Sequence, residues 1–201
     1  MTTPATKQPA HETLVEGVST LYNISWEKFK AIEATLDGNK GVRLAYLNGI
    51  LEIMSPVGSE HESVKSTLGL LLEAYMREKG IRFYVRGGFT IESPETASGT
   101  PDESYNIGTV KENPDIVIEV IITSGRLDKK ELYRPKNIPE VWFWKKGQIT
   151  IFHLGEGGYE QRERSEFFPD LDISVLQRYL EYTDQYDAIT DLINSIRRGE
   201  L

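Results

Sequence analysis

The chain has 201 residues, 39% of them hydrophobic and 27% charged, which suits one globular domain with a substantial core. It contains no cysteine, which excludes disulfides, thiolate metal sites and cysteine nucleophiles. A formal net charge of −8 excludes a protein that coats nucleic acid by bulk charge, while leaving room for a local basic groove or a site that recruits divalent cations.

Residues 1–18 are polar and unpatterned and read as a tail, with His11 solvated in it; residues 19–201 read as a single domain. No run reaches transmembrane length and no basic stretch precedes an apolar one at the N-terminus, so the expectation is a cytoplasmic protein without a membrane contact. Ser25 is placed to cap a helix in which Trp26, Phe29, Ile32 and Leu36 recur at helical spacing, and Gly38 ends it. Val42–Leu47, Asn48-Gly49 and Ile50–Met54 predict a hairpin, because both central turn residues need positive φ. Glu52 lies inside the second strand, either as an exposed carboxylate or as part of a site. Ser59 and Glu62 have the spacing of a capping box. The helix that follows carries Val64, Leu68, Leu71, Leu72 and Tyr75 on one stripe, and His61 falls on that inward stripe.

Ile81–Val85 and Phe89–Ile91 read as strands, residues 92–101 as a loop, and Pro101–Tyr105 as the start of another extended piece. Asp115–Ile122 is the most hydrophobic run and reads as a strand buried on both faces. Residues 128–134 form a short helical stretch stopped by Pro135. Glu140–Lys145, Gln148–Leu154 and Tyr159–Arg164 read as strands, with His153 exposed on the second and the Trp142/Trp144 pair assigned to core and dimer contact. Helical patterns over Ile173–Tyr182 and Asp184–Arg198 close the chain, the latter with Tyr186, Ile189, Leu192, Ile193 and Ile196 on one stripe. This order predicts an α/β fold built on a mixed β-sheet flanked by helices.

Glu119 is the anomaly in the central run. A carboxylate there is costly unless it is paired, protonated or bound to a metal. Asp102, 17 residues upstream, begins an extended piece able to return beside the strand. Lys129 and Lys130 lie about ten residues downstream, on the helical turn. Two carboxylates from neighbouring strands, with the Val120 carbonyl, suit a hard divalent cation, Mg²⁺ or Mn²⁺. A lysine beside them can hold the attacking water and stabilise developing phosphorane charge. Asp115 is the other candidate aspartate, but at four residues along the same strand it lies roughly 13 Å from Glu119. His61, aimed inward from its helix, is an auxiliary candidate for a water or phosphate contact, beside Glu52 and Lys130.

These residues also carry a resemblance. Pro101-Asp102 followed by Glu119-Val120-Ile121 resembles the PD…(D/E)xK signature of restriction-endonuclease-like nucleases. More narrowly, residues 25–198 are similar to the Uma2 family, also called DUF820. The matching phrases are LNGILEIMSP followed by His61, PDESYNIG, PDIVIEVIITSG, DKKELYR and IPEVWFWKKGQITIFHL. The resemblance implies a restriction-endonuclease-like fold and a Mg²⁺-dependent endonuclease acting on DNA. Ile121 stands where the superfamily has its lysine, and the resemblance implies that Lys129, four residues before Tyr133, substitutes for it. Two other readings stand beside this one: a catalytically inactive module that binds nucleic acid or a protein partner, and a two-carboxylate hydrolase such as a glycosidase. A homodimer is expected, because two-fold enzymes suit duplex DNA and the strand around Trp142 could pair across an axis.

Overall fold

The computed structural model describes residues 17–39, 41–55 and 58–201. The tail and His11 lie outside these residues as far as position 16, and by Val18 the chain is already in a strand. In order, the elements are β1 (Val18–Leu21), α1 (Trp26–Leu36), β2 (Arg43–Leu47), β3 (Ile50–Met54), α2 (Ser59–Glu78), β4 (Phe83–Val85), β5 (Ile91–Ser93), β6 (Ala97–Gly99), β7 (Glu103–Ile107), β8 (Ile116–Val120), β9 (Glu140–Lys145), β10 (Gln148–Gly155), β11 (Gly158–Arg162), α3 (Ile173–Leu180) and α4 (Gln185–Arg197). Short 3-10 turns at Lys129–Leu132 and Arg134–Lys136 join β8 to β9.

The strands form two sheets where the sequence suggested one. The larger has the order β11-β10-β9-β8-β7-β4 and is mixed, with β8 and β9 parallel. The smaller has the order β1-β3-β2-β6-β5. The Asn48-Gly49 hairpin forms as predicted, with φ of 46° and 87°. The stretch expected as a loop over 92–101 is instead largely the β5–β6 hairpin. Its second strand, Ala-Ser-Gly, carries no hydrophobic period, and a side chain at Gly99 would collide with Leu132. Small residues are needed there, and they conceal the strand from pattern reading.

Alternation along β8 sets the layers. Ile116, Ile118 and Val120 face α2, α3 and α4, together with Trp142, Trp144, Ile149 and Ile151 of the neighbouring strands. Val117 and Val141 face the smaller sheet and the 3-10 turn, packing with Ala45, Ile91, Ala97, Leu132 and Tyr133. On the far side of the smaller sheet α1 covers Tyr46 and Leu51 with Phe29, whose ring stacks on Tyr46 at 4.9 Å. The layer order is therefore α1, smaller sheet, larger sheet, helices.

Four expectations are corrected at this level. The capping box does not form: Gly58 is the N-cap of α2, Ser59 is already helical, and Glu62 pairs with Lys65 at 3.1 Å. Tyr186 is exposed, and α4 buries Ala188, Leu192, Ser195 and Ile196 instead. Trp142 and Trp144 are core residues of a strand whose two edges are occupied by β8 and β10, so this strand cannot pair across a dimer axis. His153 is half-buried, 3.4 Å from the Glu166 carboxylate.

Candidate active site

β7 and β8 run antiparallel, and at the end where Val120 leaves the sheet they bring Asp102 beside it. The Asp102 N–H donates to the Ile118 carbonyl at 3.1 Å, and the Val120 N–H donates to Asp102 Oδ2 at 2.7 Å. Residues two apart on a strand turn their carbonyls to the same side, so the Val120 C=O points the same way as that of Ile118, past the last pairing step of β7. Asp102 and Glu119 are 3% and 1% exposed, so both carboxylates are removed from water.

Each carboxylate is matched by a cation. Arg43 Nη1 lies 2.5 Å from Asp102 Oδ1, and His61 Nε2 lies 3.1 Å from Oδ2. Burial alone would raise the Asp102 pKa; the hydrogen bond from His61 and the charges of Arg43 and His61 outweigh it and hold the carboxyl well below the usual range. With Asp102 ionised and accepting, His61 Nε2 carries a proton toward it. Nδ1 is buried, 3.3 Å from Glu62 Oε1 without forming a hydrogen bond. Lys129 Nζ donates to Glu119 Oε2 at 2.7 Å, and the Tyr133 hydroxyl donates to Oε1. Tyr133 is fully buried; burial first, and the Glu119 charge next, push its pKa well above the ordinary value, so it remains a donor. Two buried anions thus face two half-buried cations, the condition under which such charges are tolerated.

The positions of the remaining candidates separate clearly. Lys130 pairs with Asp128 and lies over the Phe152 ring at 5.5 Å, turned away from Glu119. Asp115 sits at the opposite end of β8, accepting from the Ile107 N–H at 2.7 Å and from Lys111 Nζ at 2.7 and 2.8 Å. Glu52 is buried rather than exposed, but it does not join the carboxylate pair. Its Oε1 accepts from the backbone N–H groups of Arg126 and Leu127 at 2.5 and 2.7 Å, so it clamps the loop that delivers Lys129.

Sequence reasoning missed Arg43 and gave Tyr133 no task. Strand parity held the signal for Arg43: it shares a face of β2 with Ala45, which packs against the larger sheet. Tyr133 follows Lys129 by four residues, which in a helical turn puts both on one side.

Arg43, His61, Val120, Thr123 and Lys129 line a small cleft at this end of the sheet. Two carboxylates and an adjacent carbonyl form an all-oxygen set that fits a hard divalent cation. Among the described residues no cluster of three or more His, Asp or Glu that could hold a metal ion is found.

A family model, Uma2, described as "Putative restriction endonuclease", matches residues 26–184, from the first residue of α1 to the N-cap of α4. No curated protein matches the chain.

Proposed function

The chain belongs to the Uma2 family, whose description is that of a restriction endonuclease, and we propose that it hydrolyses phosphodiester bonds of DNA with the help of a divalent cation. The observation that carries this reading is the convergence of Asp102 and Glu119 from adjacent strands with Lys129 on the second carboxylate. Asp102, Glu119 and the Val120 carbonyl would hold Mg²⁺ or Mn²⁺. When bound, such an ion neutralises phosphate charge and lowers the pKa of a coordinated water. Lys129 and Arg43 would bind the phosphate oxygens through Nζ and Nη1, and Lys129 would also orient the attacking water. His61 and Tyr133 act as positioning residues, fixing Asp102 and Glu119. Water oxygen forms the new bond to phosphorus and releases a proton to solvent, while the bond to one sugar oxygen breaks and that oxygen takes up a proton from solvent, with charge building on the non-bridging oxygens that the two cations face.

A glycosidase needs one carboxyl with a raised pKa, whereas Asp102 is held low and Glu119 is ion-paired. The inactive-module reading is favoured by one observation: both carboxylates already have internal cationic partners. Incubation of the full chain with plasmid and oligonucleotide DNA in Mg²⁺, Mn²⁺ or EDTA separates the two. Cleavage is expected in Mg²⁺ or Mn²⁺, absent in EDTA, and abolished in Asp102→Asn and Glu119→Gln with the circular dichroism spectrum unchanged. Undiminished cleavage by both variants refutes the proposal, and DNA binding without turnover in either cation supports the module.

A further inference from the structure

Beyond the carboxylate cleft lies a larger cavity of about 420 Å³. Its floor follows from strand parity. Trp142, Trp144, Ile149 and Ile151 face the helices, so Phe143 on β9 and Thr150 and Phe152 on β10 face the other way. Gln161 on β11 is paired with Phe152 and continues that face. Phe143 and Phe152 meet edge to face at 5.7 Å. The 123–130 loop forms the wall and contributes hydroxyls from Thr123 and Ser124 and ammonium groups from Lys129 and Lys130. Lys145 stands at the rim, bonded to Ser124 Oγ at 2.8 Å and without a carboxylate partner among the described residues.

The charge here runs against that of the whole chain. Three lysines line the cavity against Glu52 and Asp128. The Glu52 carboxylate is already engaged by two backbone N–H groups, and Asp128 is paired with Lys130. An aromatic floor, a few amide and hydroxyl groups and a cationic rim are what a single-stranded nucleotide requires: a surface to stack on and charges for its phosphate. A duplex base is stacked on both faces and offers none to a phenylalanine in a cavity. Ile121, Thr123 and Lys129 line both this cavity and the cleft beside Arg43 and His61, so the two are neighbours.

From this geometry we infer that the Phe143–Phe152 cavity binds one unstacked nucleotide of the DNA strand, next to the phosphate that Lys129 and Arg43 would bind. The inference rests on the nuclease reading for the second half of that statement and on the cavity for the first.

The test measures binding of fluorescein-labelled oligothymidylate, and of a duplex of equal length, by anisotropy in EDTA, where no cleavage occurs. The single strand is expected to bind the wild-type chain more tightly than the duplex does. Phe152→Ala should weaken single-strand binding about tenfold. Phe152→Tyr, which keeps a ring, should restore it, and Lys145→Gln should weaken it several-fold. Duplex binding as tight as single-strand binding, or equal affinities for the Ala and Tyr variants, overturns the inference. The two readings fail separately. If no cation supports cleavage but binding still depends on the Phe152 ring, the nucleotide cavity stands and the nuclease fails. If Glu119→Gln abolishes cleavage while Phe152→Ala binds and cleaves as wild type, the nuclease stands and the cavity fails.

Discussion

Asp102 shows how a buried carboxylate can be both a structural charge and a candidate ligand. It accepts from Arg43, His61 and the Val120 N–H, and its pKa is lowered despite burial. A lowered folded-state pKa means that the unfolded chain binds the proton more readily. The stability from this group is therefore fully present above the unfolded value of about 3.9 and is lost as pH falls toward the lower folded value. Asp102→Asn removes the charge that Arg43 needs, leaving a half-buried cation uncompensated, at a cost of about 1–3 kcal/mol near neutrality. The deficit relative to wild type should shrink between roughly pH 5 and roughly pH 3, as the wild-type carboxyl loses its advantage. Urea midpoints of the two proteins across that range check this; a deficit that stays constant would show that the ion pair does not carry the stability.

At the level of elements, the loop between β8 and the first 3-10 turn decides where Lys129 stands. Glu52 holds that loop by two backbone N–H groups, and Gly125 packs so closely on the Glu52 carboxylate that a methyl group would overlap it. Gly125→Ala should therefore displace Glu52 and destabilise the chain by about 1–3 kcal/mol. Because the collision and the lost bonds involve the same carboxylate, adding Gly125→Ala to Glu52→Ala should cost little more than Glu52→Ala alone. Thermal unfolding of the two single variants and the double variant tests this, and additive losses would contradict it. The same region shows what pattern reading can and cannot reach. Glu119 was legible because a charge inside a run of β-branched residues violates a local rule. The partner carboxylate and Lys129 were reachable through strand and turn order. Parity set the face of Arg43 but not its task, which depends on one sheet lying over another, and β1 and β6 exist through pairings made far along the chain. Strands of three or four residues carry too little periodicity to declare themselves, and their partners supply the stability. The Ser59/Glu62 pair shows the reverse, a strong local signal overruled when Glu62 found Lys65 and His61 as neighbours.

At the scale of the whole molecule, charge and shape act in opposite directions. The chain carries a formal −8 and repels a polyanion at long range, while Lys129, Lys130 and Lys145 gather at one cavity. Attraction to DNA is thus confined to few phosphates, unlike that of proteins whose basic faces neutralise many. Each phosphate neutralised on a single strand contributes about 0.7 to the slope of log affinity against log salt. Three lysines and Arg43 therefore limit that slope to about −3, and the acidic body flattens it further because added salt also screens the repulsion. Lys145→Gln should reduce the steepness by about 0.7, whereas Phe152→Ala should lower affinity at every salt concentration and leave the slope unchanged, since a stacked ring releases no counterions. Anisotropy titrations of oligothymidylate from roughly 50 to 200 mM salt separate the two contributions. A slope much steeper than about −3 would place the DNA on a broader basic surface elsewhere on the molecule, and a slope altered by Phe152→Ala would mean that the ring acts by placing the lysines and not by stacking.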